Sequence, residues 1–406
     1  MADYHSVRLR AGLCTGCTAC VTSCPTEAVR VYGQKAEILA SRCTDCGACL
    51  KACPNHAKTG KVDSIKDLDR YKYKIALPDP AIFGQFAPEV EPQRVLGSFL
   101  SLGFDEVFDV ALACDLVSEK IKEKLKESKS PLISASCPAV IRMIQALYPD
   151  LIKNLVPVEA PLEVAGQLAR QQAEKRGLLS KDIGIFYISP CPAKVTAAKN
   201  PVARNKSSVS EVLSIVDIYG NILKFANMKN QKTLELKATG KGYGWARAGG
   251  ESIAVGTTNN VVVDGIEHVT KVLSEIEIGK LTNVDYIECW ACVGGCVGGP
   301  LVVENPFIAT VKIRKKAEKL NKQQKINLSC VDQSIFDWDD GIKPRQVMSL
   351  DNNMTVAISK GKKLQEVLEK LPGYDCGACG APTCSAHAED YIQGTIKDTR
   401  CVFKND

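Results

Sequence analysis

No apolar run in the sequence approaches the ~18 residues that a membrane span requires. The opening MADYHSVRLRAGLC also lacks the apolar core of a secretion signal. A cytoplasmic protein is therefore expected. Histidine is scarce, and His5, His56, His268 and His387 stand in no ligand-like spacing, so none is assigned a role. A basic stripe with interleaved aromatics is missing, which excludes nucleic acid as a partner. Cysteine is what the chain has in excess, 19 residues in 406. That falls short of the roughly 8–10% of a small disulfide scaffold. In a reducing compartment, clustered cysteines point to metal rather than to disulfides. The length allows two to four compact units, each with its own core.

The cysteines fall into groups. Cys14, Cys17, Cys20 and Cys24, followed by Pro25, recur as Cys43, Cys46, Cys49 and Cys53, followed by Pro54. Each half is C-x2-C-x2-C-x3-C-P, the spacing of two-cluster ferredoxins. Two zinc sites are the weaker alternative, because this spacing and the duplicated proline suit cubes. The resemblance to a ferredoxin module implies crossed ligation. Cys14, Cys17, Cys20 and Cys53 would hold one 4Fe-4S cube, and Cys43, Cys46, Cys49 and Cys24 the other. AVRVYGQKAEIL between the loops reads as a hairpin. Near the C-terminus, Leu364, Val367, Leu368 and Leu371 share a helical face that Pro372 and Gly373 end. Cys376, Cys379, Cys384 and Cys401 follow. LPGYDCGACGAPTC resembles the one-cluster domain of corrinoid iron–sulfur proteins, which implies a third accessory cube; a zinc knuckle is the alternative. A cube with its thiolates carries about two negative charges, so the formal +6 of the chain does not call for a polyanion partner.

Between Tyr73 and Val347, apolar strands alternate with amphipathic helices, the pattern of α/β layers on parallel sheet. Three segments run a strand into a Pro- or Gly-punctuated loop that bears cysteine: PLISASCPAV, IGIFYISPCPAK and VDYIECWACVGGCVGG. Loops after the carboxyl ends of parallel strands collect site residues. Their cysteines Cys137, Cys191, Cys292 and Cys296 can hold one further cube. Spacing alone goes no further, and Cys114, Cys289 and Cys330 stay outside the four sets.

These loops resemble the three signature motifs of FeFe-hydrogenases, and QRVLGSFLSLGFDEVFDVALACDL and WARAGGES resemble other segments of that family. The resemblance implies a multidomain α/β fold. Residues 1–72 would form the two-cluster ferredoxin-like domain. Residues 73–350 would form a two-lobed H-cluster domain with parallel sheets, and 351–406 a C-terminal 4Fe-4S domain. It also implies an H-cluster, a 4Fe-4S cube on Cys137, Cys191, Cys292 and Cys296. Cys296 would bridge it to a two-iron unit carrying CO, cyanide and azadithiolate. Lys194 would meet a cyanide through a charge-assisted hydrogen bond, unless it is merely a surface lysine.

Departures from the family pattern concern protons. Ser136 replaces the cysteine that hands protons on, and a hydroxyl is a far weaker acid than a thiol. Ala197 replaces a glutamate, and Ser189 and Trp290 replace two methionines. The relay carboxylates fall near Lys120–Lys124, with Glu119 and Glu123 on other helical faces. Substitute proton carriers are Cys289, Glu251 and Glu288. This combination resembles the sensory subgroup. It implies reversible dihydrogen oxidation of low turnover, with electrons passing through accessory cubes. Expected partners are dihydrogen and protons, a ferredoxin-like redox protein or a separate signalling protein, and hydrogenase maturation factors, with a homodimer as one assembly. The competing expectation is a non-enzymatic iron–sulfur assembly or electron-transfer protein of the same fold.

Overall fold

The computed structural model describes residues 4–128, 130–320, 328, 331–345, 347 and 349–403. Cys330 lies outside the described residues. The 18 described cysteines are all free thiols, and among described residues no helix is long and apolar enough to cross a membrane.

The N-terminal unit pairs β1 (Val7–Leu9) with a later strand and closes a hairpin of β2 (Val29–Tyr32) on β3 (Lys35–Ile38). Gly33 and Gln34 both take positive φ, the primed turn that suits the twist of a two-residue hairpin. β4 (Lys58–Gly60) runs antiparallel to β1. The 29-residue sequence repeat is also a backbone repeat. Left-handed residues recur at Gly16 and Asp45, Thr18 and Gly47, and Glu27 and His56. One-turn helices follow at Ala19–Thr22 and Ala48–Lys51. A small core of Val7, Val21, Val29 and Ala36 holds the unit together, with Cys20, Cys43 and Cys49 on it.

The middle of the chain builds two parallel sheets. In the first, β5 (Tyr73–Pro78) lies between β6 (Glu106–Val107) and β8 (Ile183–Ser189), with β9 (Glu211–Ser214) beyond. β8 is buried along its whole length, which explains why it reads as an unbroken apolar run. In the second sheet, β11 (Tyr286–Trp290) lies between β10 (Asn260–Asp264) and β7, which is only Leu132–Ile133. One continuous core joins both sheets and the helices packed on them. The carboxyl ends of β5, β7, β8 and β11 are where the site forms.

The C-terminal unit differs from expectation at its helix. The helix spans Met354–Leu368, starting where Asn353 caps two backbone N–H groups, and it stops before Leu371 and Pro372. The side-chain cap of Asn353 sets its start. A second helix, Cys384–Ile392, docks on the N-terminal unit. Arg30 Nε donates to Asp390 at 2.5 Å, Arg42 Nη2 donates to Glu389 at 2.5 Å, and the Val31 N–H donates to Gly380 O at 2.8 Å.

Candidate metal centre and its proton network

Each cysteine-bearing loop places its thiol where a strand ends and a helix or turn begins. Cys137 and Cys191 are the N-cap residues of helices Pro138–Leu147 and Pro192–Lys199, each followed by proline in the first turn. Proline is tolerated there because its missing N–H has no helical partner to lose. Cys292 follows β11, and Cys296 opens the 3₁₀ turn Cys296–Gly298. The third loop must lie against its neighbours. Gly295 has φ +83, and a Cβ on Gly299 would stand 2.2 Å from Pro190 O. The Leu301 N–H then donates to Pro190 O at 2.9 Å, which ties the third loop to the second.

The four thiols sense one another. Burial first, and then Cys292 and Cys137, push the Cys191 thiol far up. Burial also raises Cys296, beside Lys194, Asp79, Cys191 and Cys137. Cys292 rises to about 11, through burial, with Lys51 drawing it down and Cys137 pushing it up. Sulfurs from three separate strand ends therefore share one electrostatic site. Four soft donors without disulfides, three buried and Cys292 partly so, fit a thiolate-bound iron–sulfur cube.

Cys296 also walls a small, tightly lined cavity with Lys194, Asp79, Ser136, Cys114 and Trp290. Lys194 is no surface lysine: its side chain is 12% exposed, and its Nζ donates to Asp79 Oδ2 at 2.6 Å. Burial works against the ammonium. Asp79 first, and then Cys296, Tyr187 and Cys191, outweigh that and hold it charged. The Tyr187 hydroxyl donates to the same Asp79 oxygen, and the Ala81 N–H donates to the other at 2.8 Å.

A second network starts at the same cavity. Ser136 Oγ donates to Glu251 Oε1 at 2.8 Å, Ser134 Oγ donates to Glu251 Oε2 at 2.9 Å, and the Tyr286 hydroxyl donates to Oε1 at 2.6 Å. Glu251 is fully buried, and its carboxyl is pushed up to about 7 by burial first and by Glu288 second. Glu288 accepts from the Gly249 N–H, the Ser252 N–H and Trp290 Nε1 at 2.6–2.7 Å. Its oxygens thus pin the Gly-Gly turn. Cys289 is fully buried, with its thiol pushed up by burial, then by Cys137 and Glu288. Glu119 and Glu123 lie toward solvent, in ion pairs with Lys122 and Lys120. The sequence reading missed Asp79, Tyr187, Ser134 and Tyr286, and it placed Cys114 only as a packed thiol. Asp79 had one signal: it ends β5, a parallel strand of the same design as the others, though without a cysteine.

Electrostatic influence also links the accessory cysteines across the repeat. Cys20 senses Cys14 and Cys53, whereas Cys46 senses Cys24 and Cys49, and Cys43 senses Cys46 and Cys49. Cys49 also senses Cys20, which puts the two sets side by side. The exposed Cys17 completes the first set in sequence. Cys46 and Cys292 line one cleft between the N-terminal unit and the central site, where Lys51 Nζ donates to Gly298 O at 2.5 Å. Cys376, Cys379, Cys384 and Cys401 line a single cavity in the C-terminal unit. His5, given no role from sequence, comes within 4.8 Å of Cys43 and Asp45.

Known proteins match this architecture unit by unit. Residues 72–260 and 251–300 match the family described as iron only hydrogenase large subunit, C-terminal domain. Residues 6–54 match a 4Fe-4S dicluster domain, and 371–403 an Fe-S cluster family. The periplasmic Fe hydrogenase large subunit of Nitratidesulfovibrio vulgaris is 27% identical over 368 residues, covering 73% of this chain and 86% of that protein. Iron hydrogenase 1 of Clostridium pasteurianum is 22% identical over 155 residues, covering 33% of this chain and 27% of that one. A solved FeFe-hydrogenase from Chlamydomonas reinhardtii aligns with a TM-score of 0.51 at 17% identity, over 65% of this chain and 90% of that one. At that identity the likeness speaks for the fold.

Proposed function

Since the chain belongs to the iron-only hydrogenase family, we propose that it interconverts dihydrogen with two protons and two electrons at an H-cluster. The observation that carries this reading is the meeting of Cys137, Cys191, Cys292 and Cys296 from three strand ends, beside a cavity that Cys296 and Lys194 share. In this reading Cys137, Cys191, Cys292 and Cys296 would hold the cluster, with Cys296 the ligand that faces the cavity. The two-iron unit, when bound, supplies an open iron and a basic amine for splitting dihydrogen. The chain's own residues do the rest. The carbon-rich walls around Trp290 and Pro80 keep the cavity dry. Lys194 brings a fixed positive charge to the cyanide side.

Ser136 and Glu251 form the proton route. A hydroxyl that donates to a carboxylate at 2.8 Å can accept a proton from the cavity while releasing its own to Glu251. A carboxyl near 7 takes and returns protons at neutral pH. Glu288 and Cys289 lie behind it as neighbours. Cys24, Cys43, Cys46 and Cys49, and beyond them Cys14, Cys17, Cys20 and Cys53, would hold accessory cubes that supply the electron path to and from the central site. The C-terminal set of Cys376, Cys379, Cys384 and Cys401 holds a third accessory cube beside them. Residues 1–72, 73–350 and 351–406 divide these tasks. The missing thiol at Ser136 makes turnover slow, which suits a sensor of dihydrogen or redox state reporting to a ferredoxin-like or signalling partner.

Loading the apoprotein with the two-iron cofactor and recording infrared spectra tests this reading. CO and CN bands are expected, together with dihydrogen from reduced methyl viologen. Bands without gas at any pH would leave an electron-transfer protein of the same fold; no bands at all would remove the H-cluster.

A further inference from the structure

Asp79 has no part in the mechanism above, although it faces the same cavity as Lys194 and Cys296. Three donors converge on its carboxylate: Lys194 Nζ at 2.6 Å, the Tyr187 hydroxyl, and the Ala81 N–H at 2.8 Å. Its side chain is 1% exposed, and the Tyr187 side chain is fully buried. The backbone leaves it little freedom. Asp79 sits between the end of β5 and Pro80, where its side chain caps the turn Pro80–Gly84. Two of its three donors are uncharged groups fixed by the fold, and Lys194 is the charged one.

Building on the H-cluster reading, we infer that Asp79 is a positioning residue that holds the Lys194 ammonium against the cavity wall and divides its hydrogen-bonding capacity between a carboxylate and the cyanide of the two-iron unit. An ammonium has three protons to donate, but a single charge, and a neighbouring carboxylate neutralises much of that charge in a dry site. The cyanide then receives a weakened donor. The two-iron unit therefore stays richer in electrons than it would beside an unpaired lysine. Asp79 also keeps Lys194 charged and in place before the cofactor arrives, so the pocket is formed in advance.

Infrared spectra of the cofactor-loaded full chain test the inference without reference to turnover. Asp79→Asn keeps an oxygen for the Ala81 N–H and removes the charge. The expected result is a CN band shifted to higher wavenumber, with CO bands moving the same way as back-donation falls. Lys194→Met is then combined with it. Because Asp79 acts through the ammonium, Asp79→Asn should leave the CN band unchanged in the Lys194→Met background. An equal shift in both backgrounds, or none in either, overturns the inference. If Asp79→Asn does not fold, Asp79→Glu, which moves the carboxylate by one methylene, is expected to shift the CN band too, and an unmoved band overturns the inference. Failure of the underlying reading looks different: the wild-type protein then shows no CO or CN band, and the role of Asp79 falls with it.

Discussion

Ser136 and Glu251 meet at 2.8 Å inside the protein, with no solvent on the carboxyl. The hydroxyl is the slow member of this pair, since a thiol ionises near 8.5 and an aliphatic alcohol far higher. Ser136→Cys is accordingly expected to raise dihydrogen turnover by about 10- to 100-fold, read by gas chromatography on loaded protein. An unchanged rate would place the bottleneck elsewhere. Glu251 makes the complementary prediction. Its raised value means that the folded protein holds this proton more tightly than the unfolded chain. The stabilisation is complete below the ordinary glutamate range and is lost as pH rises through about 7. Proton delivery follows the same sign: gas production falls as Glu251 ionises above about 7. Glu251→Gln should lower the rate by about 100-fold or more and erase that inflection from the pH profile.

At the scale of elements, the site is built on loops whose geometry is set by close approach. A methyl group on Gly299 would overlap the Pro190 carbonyl, so Gly299→Ala must push the third loop away from the second. A loss of about 2–4 kcal/mol is expected, and with it the 4Fe-4S absorbance of the central site, while the N-terminal cubes stay intact. Much of this was legible in the sequence. The three strand-to-cysteine loops read correctly because each is a continuous apolar run punctuated by Pro or Gly, and β7 was found although it is only two residues long. The hairpin of β2 and β3 was visible in its turn, and the two N-terminal cysteine groups in their repeated spacing. What stayed hidden has a common cause. The site contacts of Asp79, Tyr187, Ser134 and Tyr286 run to partners more than 100 or 30 positions away in the chain. No local pattern marks such a pairing. The helix at Met354–Leu368 was placed too late because the leucine stripe was visible, whereas the capping by Asn353 was not weighed.

The whole molecule joins three cysteine-bearing units. The C-terminal unit is fastened to the N-terminal one by Arg30, whose side chain is 1% exposed, and Asp390. Removing one member of a buried pair leaves the other uncompensated. Asp390→Ala is thus expected to cost about 3–5 kcal/mol at that interface and to open the segment around Leu371 to limited proteolysis, with the central site's spectra unchanged. Wild-type resistance in the variant would mean that Glu389, Gly380 and their partners suffice. In the hydrogenase reading, the central thiols carry the six-iron assembly. The most direct test is the infrared spectrum of matured protein under dihydrogen and under argon. The account predicts CO and CN bands that shift between the two gases. Bands that are absent, or identical under both, would contradict it.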